Sequence, residues 1–544
     1  MSSGNCKSCN KSANLLCINC KEVYYCSREC QKSDWKNHKQ QCKSYEIYKD
    51  EKIGRLLRAT REIKAGSLII SEAPVIIGPK WTSDEDDEED ENFFKFSCVG
   101  CFEVISNLRH KCDVCMWPCC SPDCPGLTNA ELHDIECQLL KMGKGPENRT
   151  NVKSIKKYFR TDILIALKIL LLQRKNPKRF KAIMEMESNE KKRMMTLNYK
   201  EAEERIMFIE ENFLKPLQKF EEKSGKEILQ LKDKKTLHKI YGIVESNAMY
   251  ISLKTGIEIC GLYPTGVIME HSCVPNIRYE FDMKNGFKIS IKAGRDIKKG
   301  EHLATSYSNI LWPTSVRQQH LKDNKYFICT CERCKDPTEL GTNFSTLRCI
   351  GTDNNPCNGF QLPTNPTSEQ ENEFACNKCV IKVSNEHVNL ITSKMNEEVD
   401  NILAMNPSPL IIEELIEKLN PFLHPNHYLL FNLKHTLIQL YGNHKDSSYA
   451  TITTEALKKK LSMCNDLLKI VLSLDPCHIR IAFYTCIIYY EKGMCLNEMH
   501  KRNISGIEDA KTSLEEARRI IMNEQDSPEG RMVLQKVENA LIKL

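Results

Sequence analysis

Pairs of cysteines with two or three residues between them recur along this chain, and they limit its possible folds more than any other feature. The first cluster contains Cys6 with Cys9, Cys17 with Cys20, Cys26 with Cys30, and His38 with Cys42. The second contains Cys98 with Cys101, Cys112 with Cys115, Cys120 with Cys124, and His133 with Cys137. Both keep four pairs in the same order, with the paired histidine at the same place, so we interpret them as an internal repeat.

The spacing within these pairs is typical of zinc ligands. Two donors separated by two or three residues can reach one ion from a tight turn or from one turn of helix. Two such pairs complete the tetrahedron of sulfur and nitrogen ligands found in structural zinc sites. Eight ligands in each cluster therefore predict two zinc ions per cluster. Cys119 lies beside Cys120 and is an alternative ligand at that position.

Disulfides are a poor explanation for the 28 cysteines of this 544-residue chain. They persist in oxidising compartments, whereas the first residues, MSSGNCKSCN, contain no apolar segment typical of a signal peptide. No stretch reaches the roughly 18 apolar residues that cross a bilayer. The most apolar run, Ile163–Leu172, includes Lys168 and predicts a buried helix. We expect no membrane contact and a cytoplasmic and nuclear location.

Charge gives limited information about partners. The net charge of +6 is small for a chain of this length. Residues 1–43 hold eight Lys or Arg against three Asp or Glu, whereas residues 98–137 hold two against six. The basic first cluster could contact nucleic acid or an acidic peptide, although a solvated basic face accounts for it more simply. The acidic second cluster argues against two equivalent nucleic-acid contacts.

Two regions of the chain have the pattern of β-strands. Residues 52–79 alternate apolar and polar side chains on either side of Gly66 and predict two strands joined by a turn. The acidic run Asp84–Glu91 predicts a solvated loop. A second strand-rich region lies around residues 240–330. Between them, residues 150–235 are rich in Lys, Glu and Leu with helical periodicity, which predicts an inserted helical segment.

The first cluster, with its VYYCSRECQKSDWKNHKQQC stretch, resembles a MYND finger. The resemblance implies that the ligand pairs interleave, the first with the third and the second with the fourth. Cys6, Cys9, Cys26 and Cys30 would bind one zinc ion, and Cys17, Cys20, His38 and Cys42 the other. In the second cluster the corresponding sets are Cys98, Cys101, Cys120 and Cys124, and Cys112, Cys115, His133 and Cys137. Fingers of this family mostly bind proline-rich peptides, so we expect such a partner at the first finger.

The strand regions carry motifs that resemble SET-domain methyltransferases, specifically the SMYD group, and its arthropod SmydA type in particular. In order, the motifs are GRLLRA at 54–59, Asn247, EHSCVPN at 270–276, GEHLATSY at 300–307 and FICTCERC at 327–334. The resemblance covers residues 1–380 and, more loosely, the helical remainder of the chain. It implies transfer of a methyl group from S-adenosylmethionine to a lysine of a histone or non-histone protein, in the regulation of gene expression.

The same resemblance implies roles for individual residues. Tyr307 would place its hydroxyl near the transferred methyl group and orient the substrate lysine. His271 and Asn247 would contact polar groups of the cofactor, and Phe327 would offer a flat face to its adenine. The full set expected to bind S-adenosylmethionine is Gly54, Arg55, Asn247, Glu270, His271, Tyr307 and Phe327.

Further zinc sites are expected after the strand regions. Cys329, Cys331 and Cys334 are one ligand short of a tetrahedron, and the resemblance supplies Cys273 from the HSC motif as the fourth. Such a site would tie the following segment to the cofactor strand, so that metal binding and active-site geometry are coupled. Four more loosely spaced cysteines are candidate ligands of a zinc ribbon: Cys349, Cys357, Cys376 and Cys379.

Three positions differ from the family pattern. Leu56 replaces a glycine that lets the backbone approach the cofactor. Glu270 replaces an asparagine, and its carboxylate could repel the carboxylate of the cofactor or pair with its ammonium group. Met249 stands where an aromatic residue often lines the lysine channel. The alternative function is therefore a SET and MYND adaptor, weak or inactive as an enzyme, that binds proline-rich peptides.

We predict an α+β protein with a SET-domain β core, MYND-type zinc fingers, an inserted helical segment and an all-helical C-terminal domain. In that last domain the predicted helices include Leu410–Leu419, Tyr428–Tyr441 and Glu455–Leu474. The expected divisions are a finger at 1–43, the N-terminal part of the SET domain with the acidic loop at 44–97, a second finger at 98–137, the helical insert at 138–239, the C-terminal part of the SET domain at 240–313, a post-SET zinc region at 314–384 and the helical domain at 385–544.

Overall fold

The computed structural model of the protein describes residues 4–18, 23–51, 54–80, 96–105, 107–143, 158–253, 258–352, 354–368, 372–525 and 527–544. Cys20 and the acidic run Asp84–Glu91 lie outside these ranges.

The first zinc cluster is built around one helix, Arg28–Cys42. Ser27 caps this helix, because its hydroxyl oxygen accepts a 3.3 Å hydrogen bond from the amide of Cys30. His38 and Cys42 lie four residues apart on the helix and therefore share a face. Short strands precede the helix at Gly4–Asn5, Ser12–Ala13, Leu15–Leu16 and Tyr24–Tyr25.

The central β region consists of small sheets whose strands are distant in sequence. The stretch predicted to form two strands contains three: Gly54–Ala59, Leu68–Glu72 and Ile76–Pro79. Each belongs to a different sheet, and their antiparallel partners are respectively Tyr45–Asp50, Lys288–Ala293 and Glu258–Leu262. The prediction of a simple strand pair is therefore wrong, because local alternation indicates a strand without identifying its partner. Met249–Ser252 and Ile277–Asp282 complete the two three-stranded sheets.

A short parallel pair lies at the centre of this region. Strand Glu270–His271 runs beside Ala304–Thr305, with Glu270 opposite Ala304 and His271 opposite Thr305. A parallel pair requires a long crossover, and here the crossover includes the hairpin of Ile277–Asp282 and Lys288–Ala293. The pairing places the EHSC motif directly against the segment that leads to Tyr307. A 3₁₀ turn, Gly266–Ile268, precedes the first of the two strands.

The second zinc cluster and the inserted helices share one hydrophobic core. Trp117 is 1% exposed and its ring centroid lies 5.5 Å from that of Phe159. Every residue of Leu164–Leu172 is buried, which confirms the predicted buried helix. The elements are strands Phe96–Ser97 and Val104–Ile105 and helices Asp134–Met142, Thr161–Ile163 (3₁₀), Leu164–Lys175, Pro177–Met184, Glu190–Arg193, Leu197–Ile209, Glu210–Leu214 (a π-helical turn), Lys215–Ser224 and Lys234–Asn247.

Two helices and a four-stranded sheet follow strand Ala304–Thr305. The helices are Thr314–Lys325 and Glu332–Lys335, and the strands are Leu347–Arg348, Phe360–Pro363, Glu373–Cys376 and Lys382–Ser384. The sheet carries the four loosely spaced cysteines on its turns and strand ends. Neighbouring strands in the sheet are also neighbours in sequence.

The C-terminal region is helical, as predicted. The helices are Asn385–Ala404, Pro409–Leu419, Tyr428–Leu440, Thr454–Leu474, Ala482–Lys501, Ile507–Ile521, Met522–Glu524 (3₁₀) and Pro528–Ile542, with one small hairpin of Asn443–His444 and Ser447–Ser448. The three helices predicted from sequence begin and end within one residue of those observed. Of the helices that the structure describes, none has both the length and the apolar character needed to cross a bilayer.

Candidate active site and metal centres

The first zinc cluster brings its ligands together in the interleaved arrangement. The sulfur atoms of Cys6, Cys9, Cys26 and Cys30 lie within 4.8 Å of one another. In the other set, Cys17 Sγ lies 3.7 Å from Cys42 Sγ and 3.4 Å from His38 Nε2. Cys20, the fourth ligand expected there, is outside the described residues.

The second cluster forms two complete quartets. One contains Cys98, Cys101, Cys120 and Cys124, and the other contains Cys112, Cys115, His133 and Cys137. Within each quartet the ligand atoms lie within 4.8 Å of one another. Cys119 belongs to neither quartet: it is 2% exposed, and burial raises the pKa of its thiol to about 11. The structure therefore places Cys120 at the metal position and Cys119 in the core.

Two further cysteine quartets lie in the C-terminal half of the chain. Cys273, Cys329, Cys331 and Cys334 form one, and Cys349, Cys357, Cys376 and Cys379 form the other, each with sulfur atoms within 4.8 Å. Tetrahedral sets of four thiolates are typical of structural zinc. The quartet at Cys273 joins the end of the parallel strand pair to the segment after Thr314–Lys325.

Buried arginines surround the Cys273 quartet, a feature that sequence reasoning missed. Arg317 is 0% exposed and donates hydrogen bonds to Cys273 Sγ at 3.2 Å and Cys334 Sγ at 3.6 Å. Its Nη1 donates to Glu339 at 2.9 Å, and Arg333 donates to the same carboxylate at 2.8 Å. These charges offset the negative charge of a zinc tetrathiolate, and they hold the pKa of Glu339 down to about 2 despite its burial.

His271 connects the Cys273 quartet to Tyr307. Its Nδ1 accepts a 2.9 Å hydrogen bond from the Tyr307 amide, so that nitrogen carries no proton. The other ring nitrogen, Nε2, lies 3.4 Å from Cys273 Sγ. The His271 ring also lies 5.2 Å from the Tyr307 ring and 5.7 Å from the Phe327 ring, centroid to centroid. The structure thus gathers three of the residues predicted from sequence beside the parallel strand pair.

Tyr307 is held by both its backbone and its hydroxyl. The hydroxyl donates a hydrogen bond to the carbonyl oxygen of Met269, and burial raises the pKa of the phenol above its ordinary value. The ammonium group of Lys325 lies 5.9 Å from the Tyr307 ring centroid and donates to the carbonyl oxygens of Glu245 and Ser246 at 3.2 and 3.1 Å. Tyr307 is therefore protonated at neutral pH, with the lone pairs of its oxygen available to accept.

Glu270 has a partner that the sequence did not identify. Its carboxylate oxygen lies 2.7 Å from His302 Nδ1, because the parallel pairing brings the strand that follows His302 alongside Glu270. Both side chains are partly exposed, 21% for Glu270 and 39% for His302. The motif GEHLATSY contains His302. The sequence therefore shows this histidine, but it does not show that His302 pairs with Glu270.

Asn247 and Arg55 both contact the inserted helical segment. The Asn247 side-chain amide donates 2.7 Å hydrogen bonds to the carbonyl oxygens of Ile243 and Glu187, which leaves its Oδ1 as an acceptor. Arg55 donates to the carbonyl oxygen of Glu185 at 3.5 Å. Residues 185–187 therefore lie close to both predicted cofactor contacts.

The positions that differ from the family pattern are accommodated in different ways. Leu56 is 0% exposed, so its side chain points into the interior. Gly54 has a positive φ of +89°, and among the described residues other than its chain neighbours no atom lies within 4 Å of the position that a Cβ would occupy. That open backbone favours glycine and leaves room for a ligand. Met249 is half-buried beside Gly266.

The fold and the site agree with comparisons to known families. The SET domain model matches residues 54–308, and the MYND finger model matches residues 6–42. Together with the cysteine quartets, these matches define a zinc-binding protein that combines a SET domain with a MYND finger. The chain is similar in these two regions to SMYD proteins, which are among its curated relatives.

Curated relatives are similar over part of their length. The SET domain-containing protein SmydA-8, isoform A, of Drosophila melanogaster is 26% identical over 334 residues, 60% of this chain and 63% of the relative. The N-lysine methyltransferase SMYD2-B of Xenopus laevis is 27% identical over 53% of this chain and 60% of its own. The histone-lysine N-methyltransferase ASHR1 of Arabidopsis thaliana is 27% identical over 63% and 65%. The chain thus spans less than two thirds of these relatives.

Among solved structures, one titled as the SET domain of LSMT bound to lysine and AdoHcy is 11% identical to this chain. The superposition covers 86% of this chain and 91% of that chain, with a TM-score of 0.25.

Proposed function

We propose that the protein is a protein-lysine methyltransferase that uses S-adenosylmethionine. The observation that carries the proposal is the group of His271, Tyr307 and Phe327 around the parallel strand pair. The His271 ring centroid lies 5.2 Å from that of Tyr307 and 5.7 Å from that of Phe327. The quartet that contains Cys273 joins the same segments of the chain. We also propose that the substrates are histone or non-histone proteins, that the enzyme acts in the cytoplasm and nucleus, and that it bears on gene expression.

The residues present fit S-adenosylmethionine, whose sulfonium supplies the electrophilic methyl group. The open backbone at Gly54 and the guanidinium of Arg55 suit the amino-acid end of the cofactor. Asn247 Oδ1 is an acceptor for its ammonium group, since the amide hydrogens are already donated. Phe327 offers its face to adenine. Glu270 is paired with His302 at 2.7 Å, which reduces its repulsion of the cofactor carboxylate.

Tyr307 is the residue that we expect to orient the substrate lysine. Because its hydroxyl proton is donated to the Met269 carbonyl, the phenol oxygen can only accept. An incoming amine would therefore donate an N–H to this oxygen and direct its own lone pair elsewhere, toward the methyl group. Alignment of this kind accounts for a large part of the rate of a displacement reaction. The amine must arrive deprotonated, since an ammonium group has no lone pair.

The protein substrate has a candidate contact surface at the junction with the helical region. A cavity of about 240 Å³ is lined by the SET strand residues Arg278 and Tyr279 and by Arg480, Phe483 and Glu524 of the helices. The Arg480 guanidinium stands 5.2 Å from the Tyr279 ring centroid. Tyr279 lies on strand Ile277–Asp282, which follows the EHSC motif of the parallel strand pair in the chain. We infer that substrate residues flanking the lysine contact this cavity.

The enzyme proposal is tested by two measurements on the full chain. The first is calorimetric titration of S-adenosylmethionine. The second is transfer of a radiolabelled methyl group to mixed cell protein, with purified histones as a separate substrate. We expect Tyr307→Phe, which keeps the aromatic ring of this cofactor-site residue and removes only its hydroxyl, to retain cofactor binding and to transfer about 10²-fold more slowly, the effect of a small misalignment. Tyr428→Phe is the matched control, because Tyr428 lies on helix Tyr428–Leu440, which contributes none of the residues that line the cavity.

Failure to bind S-adenosylmethionine would refute the enzyme proposal and leave the second candidate, an adaptor that binds proline-rich peptides. Exposed apolar side chains on the first finger favour that candidate: Leu15 is 43% exposed, Ile18 85% and Trp35 41%. The test is fluorescence anisotropy with labelled proline-rich peptides, comparing the wild type with Trp35→Ala. Binding of a labelled duplex DNA, with a steep dependence on salt, would indicate the nucleic-acid contact instead.

A further inference from the structure

Three ionisable side chains, a histidine, a glutamate and a lysine, lie in the core beside the second zinc cluster. His133, Glu136 and Lys168 are each 0% exposed. His133 Nδ1 lies 3.3 Å from Glu136 Oε1, and Lys168 Nζ lies 3.7 Å from the same oxygen. Burying an isolated charge is expensive unless it is paired, so the side chains need a reason to be there. None of the residues expected to bind the cofactor belongs to this group.

The zinc ligand His133 gives the first part of the reason. Its Nε2 lies 3.5 Å from Cys115 Sγ and so points into the quartet of Cys112, Cys115, His133 and Cys137. Its Nδ1 points the other way, toward Glu136, three residues later on the same helical turn. Metal-binding histidines usually donate this second N–H to a carboxylate or carbonyl group, which fixes the tautomer and the ring orientation. Glu136 is placed to do this for His133.

Lys168 gives the second part. Zinc with three thiolates and a neutral imidazole carries one net negative charge, and the Glu136 carboxylate adds another beside it. Lys168 is the cation that faces this carboxylate from helix Leu164–Lys175. Its ammonium group also donates to the carbonyl oxygen of Ile77 at 3.3 Å and lies 4.7 Å from the Phe102 ring centroid. One lysine therefore contacts the zinc module, the inserted helix and a SET strand.

We propose that Glu136 and Lys168 are positioning residues for the zinc ion of the Cys112, Cys115, His133 and Cys137 quartet, and that Lys168 couples this zinc ion to strand Ile76–Pro79 of the SET core. The second zinc module is then an internal part of the core. This inference does not depend on the proposed enzymatic activity.

The coupled strand leads toward the cofactor residues. Ile76–Pro79 pairs with Glu258–Leu262, which in turn pairs with Met249–Ser252. The strand Met249–Ser252 begins two residues after Asn247 in the chain. Loss of the zinc ion would therefore loosen a sheet whose far edge adjoins the predicted cofactor contact.

Cysteine protection in the full chain tests the proposal one site at a time. Alkylation followed by mass spectrometry reports the rate at which each cysteine loses its metal, in the presence of a competing chelator. We expect Lys168→Met and Glu136→Gln each to increase the reactivity of Cys115 and Cys137 by about 10- to 100-fold, the usual loss of metal affinity when an outer partner is removed. Cysteines of the first finger should react at the wild-type rate. Lys181→Met is the matched control, with a lysine side chain 79% exposed on the next helix.

The double variant Glu136→Gln with Lys168→Met distinguishes a specific effect on the zinc ligands from general destabilisation of the core. It removes both buried charges, so we expect it to protect Cys115 and Cys137 better than Lys168→Met alone, which leaves the carboxylate uncompensated. The d–d spectrum of the cobalt-substituted protein should shift in the single variants, and hydrogen exchange at Ile76–Pro79 should accelerate. The proposal is overturned if the single variants protect these cysteines as the wild type does. It is equally overturned if single and double variants expose the cysteines of every site alike, since that would mark general unfolding.

Discussion

A buried histidine in the helical C-terminal region gives a quantitative prediction about acid stability. His435 lies on helix Tyr428–Leu440, is 9% exposed, and stacks on Phe431 with ring planes 9° apart. Its Nδ1 lies 3.3 Å from the Gln439 amide, and its Nε2 has no hydrogen-bond partner among the described residues. Burial lowers the pKa of His435 from 6.5 to about 4.

The sign and size of the effect follow from linkage. This histidine takes up a proton near pH 6.5 in the unfolded chain but only near pH 4 in the folded protein. The contribution of neutral His435 to the free energy of unfolding is therefore complete above pH 6.5 and is lost as the pH falls to about 4. One pKa unit corresponds to about 1.4 kcal/mol. Between pH 7 and pH 5 the wild type should therefore lose about 2 kcal/mol of free energy of unfolding through this residue.

The assay is hydrogen exchange of helix Tyr428–Leu440 at pH 7 and pH 5, corrected for intrinsic exchange rates. His435→Phe keeps a ring in the core and removes the titration, so its helix should lose about 2 kcal/mol less than that of the wild type over this pH interval. His387→Gln is the control, since His387 is exposed. Zinc release at pH 5 affects all three proteins and cancels in the comparison. Equal pH dependence in wild type and His435→Phe would refute the reasoning.

Three further predictions concern the metals and the cofactor. Native mass spectrometry should find six zinc ions per chain, one for each of the five complete quartets and one for the set of Cys17, His38 and Cys42; two or fewer in undamaged protein would contradict the zinc assignment. Arg317→Met should destabilise the core by about 3–5 kcal/mol, because it leaves buried charges unpaired, whereas Arg518→Met, on the surface, should change thermal unfolding little; similar unfolding of the two would count against the charge argument. Glu270→Gln should weaken S-adenosylmethionine binding in calorimetry if Glu270 pairs with the cofactor ammonium group, and tighter binding would instead identify repulsion as the dominant effect.

The sequence predicted those parts of the protein that depend on local spacing. The cysteine pairs predicted zinc modules because each pair must reach a single ion. The apolar run Ile163–Leu172 predicted a buried helix, and apolar periodicity predicted the C-terminal helices because a helix shows its buried face in sequence. The choice between Cys119 and Cys120 was left open by spacing, since adjacent residues differ only in where the backbone directs them.

The parts that the sequence did not predict depend on contacts between distant residues. The pairing of Glu270 with His302, separated by 32 residues, exists only because two strands run in parallel. Lys168 and Glu136 also meet across the core, and the sequence offers only one hint of it, a lysine within an otherwise apolar run. Arg317 and Glu339 read as ordinary surface charges until the fold buries both. Charge pairing in a core is a tertiary property, and no local pattern encodes its geometry.

The Cys273 quartet also has a topological consequence. It joins residues 61 positions apart, Cys273 and Cys334, through a single ion. By the chain-entropy argument used for disulfides, closing a loop of this length removes about 4 kcal/mol of conformational entropy from the unfolded chain. A protease that cuts once within the loop would leave both fragments attached to each other through the metal. The severed protein should run as one species until a chelator is added and as two afterwards, so this zinc ion acts as a reversible crosslink that needs no oxidant.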